Sequence, residues 1–435
     1  NKFLMMENKP KKKGLASFPR NFWTVIVMEF FERGSYYGVM SILSVYLVLD
    51  VSQGGLGFSK ESVGVIKSVI TPLLYILPIL SGALADQFGY KKTLVFSFAV
   101  MSLGYFFTSI STSYLFVFAS LILMVLGAGF FKPIISGTIA RTTDESNSTL
   151  GFGIFYWTIN LGSFVFPLFF VPYLKEMGYS YIFIMAAVGT GWLLMLNLFV
   201  YKEPPRPQIK RSIPEVLKGA LLVLKDYRFV VMIVIYSGFW ILYFQMFDTV
   251  LWYLTEYMDM TPVNNSVNSF LRLFTENPTW KFEAEHVTVI NAGTIILLQF
   301  VISFIVKSTK ALPTMIVGIA LGTLGMGVLA ISTHAWVFMA GMIIFSIGEM
   351  TAHPKFISYV GLIAPPDKKA LYLGYSFLYG VIGSGIGGVL GAFTYVRFVT
   401  QMGRPGLLWL MFSGIGVLTI IGLLLYNKFL VPKKV

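Results

Sequence analysis

Twelve apolar runs of about 20 residues or more fall near 21–49, 62–85, 92–111, 114–140, 150–173, 180–201, 229–257, 285–306, 311–332, 335–363, 370–398 and 406–430. In hydrocarbon every backbone N–H and C=O must find a partner, and a continuous apolar run satisfies them only as a helix. The fold class expected is therefore an all-α membrane protein of twelve transmembrane helices in two six-helix bundles. Composition agrees: 12% of residues are charged, where a soluble domain carries about 25%. The expected organisation is a tail at 1–20, a bundle at 21–201, a linker at 202–228, a second bundle at 229–430 and a tail at 431–435. Within the linker, Ile213 to Leu224 reads as an amphipathic helix lying on the cytoplasmic surface. The longest outward loop, about 259–283, is polar and contains Pro262, Asn264, Asn265 and Pro278.

A formal charge of +13 invites a nucleic-acid reading, but the bases alternate from loop to loop. Lys9, Lys11, Lys12, Lys13 and Arg20 precede the first run, Lys91 and Lys92 follow the second, and Lys202, Arg206, Lys210, Arg211, Lys218, Lys225 and Arg228 follow the sixth. Lys307, Lys310, Lys368, Lys369, Lys428, Lys433 and Lys434 continue the alternation. The opposite loops hold only Lys60, Lys175, Arg272, Lys281, Arg397 and Arg404. The positive-inside rule then places both termini in the cytoplasm, and the basicity sets topology rather than binding nucleic acid. The first run is too long for a signal peptide and lacks a small-residue cleavage site. There is no cysteine, so thiolate chemistry is excluded, and three scattered histidines (His286, His334, His353) make no metal site. Neither a phosphate-binding loop nor a nucleophile elbow is present; no enzyme activity and no cofactor are expected.

Inside the first run stands Glu29-Phe-Phe-Glu32-Arg33-Gly-Ser-Tyr36-Tyr37. The three charges share one helix face, and each costs roughly 2.5–3.5 kcal/mol near a bilayer centre. Such a cluster persists where it pairs internally and lines a polar pathway. The two halves are also distantly alike. Gly127 precedes Pro133 and Gly348 precedes Pro354 by the same interval, and each proline is followed by an Ile-Ser pair, Ile135-Ser136 and Ile357-Ser358. Parallel repeats of this kind belong to transporters that rock two bundles around a midplane site.

Gly82-Ala-Leu84-Ala-Asp86-Gln-Phe-Gly89-Tyr-Lys91-Lys92 resembles the second-to-third-span loop of the major facilitator superfamily, with Asp86 as a gate residue. Glu29-x-x-Glu32-Arg33-x-x-Tyr36-Tyr37-Gly38 resembles the first-span motif of the proton-dependent oligopeptide transporters. Gly129-Phe-Phe-Lys132-Pro133, Phe155-Tyr156-Trp157-Thr158-Ile159-Asn160 and Gly348-Glu349-x-x-x-x-Pro354 resemble that family's fourth-, fifth- and tenth-span motifs. The resemblance implies a major facilitator fold in which Glu29, Glu32 and Arg33 pair with Lys132 and couple protons. It implies that Lys132 and Arg33 take a peptide carboxylate and Glu349 its amine. A static ion-pair network is the structural alternative. Tyr36, Tyr37, Tyr75, Tyr156, Asn160, Asn291 and Trp240 are candidate cavity-wall groups, since tyrosine joins an apolar ring to a hydroxyl and asparagine can bond a peptide amide both ways.

The sequence departs from that pattern in three spans. Phe239-Trp240-Ile-Leu-Tyr-Phe244-Gln245 carries Phe244 where the family has a proton-coupling glutamate. Asp248, one turn on, is expected to take over, paired with Lys355 as a gate. Ser376 stands where the eleventh span commonly has tryptophan, leaving that wall open or filled by Tyr375. Lys67 is expected to snorkel outward near Glu61. The glycines Gly383, Gly385, Gly387, Gly388 and Gly391 are expected to pack within the second bundle. The expected function is proton-coupled uptake of di- and tripeptides by a monomer in a prokaryotic inner membrane, with the bilayer, peptides and protons as its partners. Transport of another zwitterion or anion, and peptide sensing without transport, are the alternatives.

Overall fold

The computed structural model describes residues 14–144, 147–204 and 212–431. The basic tail with Lys9 to Lys13, Arg206, Lys210, Arg211 and the last four residues lie outside them. Eleven described helices are long and apolar enough to cross a membrane: Lys60–Phe88, Tyr90–Ile110, Tyr114–Thr142, Leu150–Met177, Tyr179–Phe199, Tyr227–Phe247, Glu285–Val306, Ala311–Val328, Ala335–Ile363, Leu371–Gln401 and Pro405–Phe429. A twelfth, Arg20–Val48, has 29 residues and precedes them; only its charges set it apart. They are called here the first to twelfth spans in chain order, so the expected all-α architecture is the one observed.

The internal repeat is structural as well as sequential. A Cβ on Gly127 would lie 2.5 Å from the Met101 nitrogen, and one on Gly348 would lie 2.4 Å from the Gly322 nitrogen. Each glycine thus lets its span touch the backbone of the preceding one. The fifth and eleventh spans both widen into π-helical turns, at Phe166–Phe170 and Val396–Gln401. The seventh closes in a 3₁₀ turn at Gln245–Phe247 and a further helix, Thr249–Tyr257, continues its path, so Asp248 sits at a discontinuity.

The linker helix forms over Ile213–Leu224, as its periodicity predicts, and opens with a capping box between Ser212 and Glu215. The Ser212 N–H held by Glu215 keeps that carboxyl below its ordinary value. Ile213, Leu217, Leu221 and Leu224 form an exposed apolar stripe. The loop near 259–283 is less irregular than its composition suggests. It holds a helix at Thr261–Leu271, and Asn268 clasps the backbone of Trp280 at 2.9 Å through both its amide N and O.

Candidate functional site

At the centre, Arg33 turns back along its own helix onto its neighbour. Its Nε lies 2.5 Å and its second terminal nitrogen 2.6 Å from the two Glu32 oxygens, while Glu29 stands 3.7 Å away. Adjacent helical residues normally diverge, but the long arginine stem closes a bidentate fork. This corrects one expectation. Glu32 spends both oxygens on Arg33, and among the described residues no carboxylate lies within 4.0 Å of Lys132 Nζ. Lys132 instead lies 5.7 Å from the Tyr75 ring centre. Of the cations Arg33, Lys67 and Lys132, it is the one with no ion pair among the described residues.

Arg33, Tyr36, Tyr37, Lys132 and Tyr75 line one cavity with Met40, Lys67, Thr71, Leu74, Tyr243, Phe244, Phe247 and Asp248. It holds about 50 Å³, room for a few waters and too little for a dipeptide. Glu349 approaches from the second half. Asn291 donates to it at 2.8 Å and to Ser346 Oγ at 3.0 Å. Glu349 belongs to the tenth span, in the second half, whereas Arg33 and Lys132 belong to the first and fourth spans of the first half. Glu349 forms no ion pair with Lys355 or His353 among the described residues. Tyr156 is 44% exposed, and Asn160 donates to the Tyr156 carbonyl at 3.0 Å within its own helix. Trp240 is buried, and its indole nitrogen has no partner among the described residues.

Asp248 and Lys355 do not meet. Asp248 Oδ1 lies 3.1 Å from Lys67 Nζ and 2.6 Å from Ser44 Oγ, whereas Lys355 donates to the Thr309 carbonyl at 2.8 Å. Lys355 lies toward the linker end of the tenth span and Asp248 just past the 3₁₀ turn that closes the seventh, so the two stand at different depths. Lys67 accordingly does not snorkel. It is 4% exposed, paired across the halves, and part of the cavity wall. Tyr375 does not fill the cavity either; its hydroxyl donates to the Val216 carbonyl at 2.6 Å and holds the linker helix. Asp86 meets Arg141 at 3.4 Å, a contact inside the first bundle between the second and fourth spans.

The two halves are sealed differently at the two ends. On the side away from the linker, Lys60 meets Glu256 at 2.7 Å, Lys67 meets Asp248, and Lys175 reaches both Glu283 and Glu285. The glycine string belongs to this seal rather than to packing inside the second bundle alone: a Cβ on Gly388 would lie 2.6 Å from Ser68 Oγ and 3.0 Å from the Gly64 carbonyl. Toward the linker no ion pair joins the halves among the described residues, and the contact is aromatic. Tyr75 stands 6.4 Å from Trp240 and 6.1 Å from Tyr379, edge to face. Sequence reasoning missed the Lys175 contact because Lys175 and the two glutamates flank different spans, over a hundred positions apart.

Comparison with known proteins agrees with this geometry. A profile described as Major Facilitator Superfamily matches residues 24–275. The chain is 34% identical over 193 residues to an uncharacterized transporter, YclF, of Bacillus subtilis, covering 44% of this chain and 38% of that one. It is 30% identical over 256 residues to a di-/tripeptide transporter of Lactococcus lactis, covering 55% and 49%. The chain thus spans less than half the length of these curated relatives. Among solved structures, a POT family transporter in complex with 5-aminolevulinic acid superposes with a TM-score of 0.77 at 21% identity, over 96% of this chain and 97% of that one. Peptide transporter POT in complex with sulfate gives 0.75 at 22%, over 96% and 95%. By its matched profile and its fold, the chain belongs to the Major Facilitator Superfamily.

Proposed function

We propose that the chain imports di- and tripeptides with protons by alternating access, as a monomer in a prokaryotic plasma membrane, with the linker and both termini in the cytoplasm. One observation carries this reading: a cationic face, Lys132 beside the Arg33–Glu32 fork, opposes an anionic one, Glu349 held by Asn291. A zwitterion with its charges several bonds apart satisfies both walls at once, whereas a simple anion leaves Glu349 without a partner. The relatives named di-/tripeptide transporters support the same substrate class. Lys132 takes the carboxylate and Glu349 the amine. Because Arg33 already occupies Glu32, a proton on Glu32 releases the guanidinium toward the substrate, and this competition links the two cargoes. Asp248, tied to Lys67 and Ser44, adds a further carboxylate to the coupling path where the two halves meet. The proton is the coupling ion, and no cofactor is required.

The test is uptake of radiolabelled Ala-Ala into proteoliposomes under an inward proton gradient. Concentrative uptake is expected, and Glu32→Gln should lower it by about 5- to 150-fold, the usual range of a coupling free energy, while leaving gradient-free exchange intact. Absence of Ala-Ala uptake beside a working control transporter would reject peptides as the cargo.

A further inference from the structure

The far-side contact at Lys175 has an unbalanced charge. Lys175, at the end of the fifth span, reaches across to Glu283 and, at 2.6 Å, to Glu285 at the start of the eighth. Two carboxylates therefore share one ammonium in the contact that joins the halves. Glu285 is fully buried, and its second oxygen has no hydrogen-bond partner among the described residues. Burying a carboxylate with half its acceptors unsatisfied is costly unless a cation or a proton balances it. A cleft of about 330 Å³ adjoins the cluster, lined by Lys175, Tyr179, Asp259, Lys281, Glu283 and Glu285, and gives it a route to bulk water on that side.

The other charged and titratable groups facing the cluster do not restore the balance. Tyr179 lines the same cleft, and His286 is buried beside Glu285. His286 Nδ1 accepts the Glu283 backbone N–H at 3.0 Å, and its Nε2 has no partner among the described residues. Asp259, already capping the Thr261 N–H at 3.0 Å, and Lys281 offset each other at the exposed rim. No group of three or more His, Asp or Glu among the described residues is arranged to hold a metal ion.

We propose that Glu285, with Glu283 and Lys175, forms a second proton-binding site, separate from the central cavity, that takes up one proton from the side away from the linker as the two halves close there. In the proposed orientation that side is extracellular. When the halves part, water solvates the three charges and both glutamates ionise. When they close, the added proton leaves one carboxylate for one ammonium. Acid outside thus favours the closed far side, and the proton is enclosed before the cargo is released. This deepens the symport reading by adding a place where the coupling ion is admitted.

The chain has no cysteine, so a spin-label pair can be placed without background. Met177→Cys on the first half and Thr275→Cys on the second, both exposed, report the far-side separation by double electron–electron resonance in liposomes without substrate. On lowering the pH from about 8 to about 5, the population at the shorter distance should rise several-fold. Glu285→Gln should hold the short distance at both pH values. Glu283→Gln should do the same, and it serves alone if the buried variant fails to fold. A distribution unchanged by acid, a shift to longer distance, or a full acid response in the glutamine variants would each overturn the proposal. Because no peptide is present, such a result leaves the cargo assignment standing. Loss of Ala-Ala uptake with the acid response intact rejects only the cargo.

Discussion

The pairing of Lys67 with Asp248 separates what a residue's own neighbourhood reveals from what only the assembled fold does. Both side chains are 4% exposed and meet at 3.1 Å. Removing one partner of such a pair leaves a bare buried charge and costs about 3–5 kcal/mol, whereas removing both can be nearly neutral. Lys67→Met alone should therefore lower the thermal unfolding midpoint in detergent, and adding Asp248→Asn should recover most of it. A double variant no better than the worse single one would refute the pairing. The charges of the first span were legible because helical spacing puts Glu29, Glu32 and Arg33 on one face. Lys67 was not, because periodicity fixes a residue's face within its helix and says nothing of which helix of the other half it meets. Within its own helix the nearest acidic residue in sequence is Glu61, within two turns. Asp248 was found from charge balance but given the wrong lysine for the same reason.

At the scale of elements, the second and eleventh spans meet through backbone. A Cβ on Gly64 would come within 2.5 Å of the Ala392 Cβ and 2.8 Å of the Gly388 carbonyl, neither of which can swing aside. Gly64→Ala should push the spans apart at a cost of about 1–3 kcal/mol, the usual range for overpacking. That cost falls on the state closed at the far side. Transport should drop about tenfold while helical content by circular dichroism stays unchanged; unaltered transport would show that this contact does not open during turnover. All twelve spans and the linker helix were legible from length and hydropathy, which local sequence determines. The helix Thr261–Leu271 was not, since its polar composition is that of a loop. The signal was Pro262 in the first turn, where a missing N–H costs nothing.

Over the whole molecule, charges seal one end and rings the other. Tyr75 is the first half's contribution to the aromatic seal, packed so closely that a Cβ on Gly380 would lie 2.3 Å from its ring. Tyr75→Ala should open the cavity toward the linker. A cysteine at Met40, on the cavity wall, should then react with a maleimide several-fold faster; equal rates would place the seal elsewhere. The two-bundle plan was legible in the sequence because the repeat intervals survive in both halves. Which faces of those bundles touch depends on the state of the cycle, and one sequence serves every state. The glycine-lined line of contact between the second and eleventh spans has a further consequence. Away from Tyr75 only small residues meet there, Gly64 and Ser68 against Gly388 and Ala392, so one helix can roll on the other as on a bearing. Turnover along that line needs no rotamers to be unlocked, so the barriers to turnover are set at the two ends, where protons and cargo act.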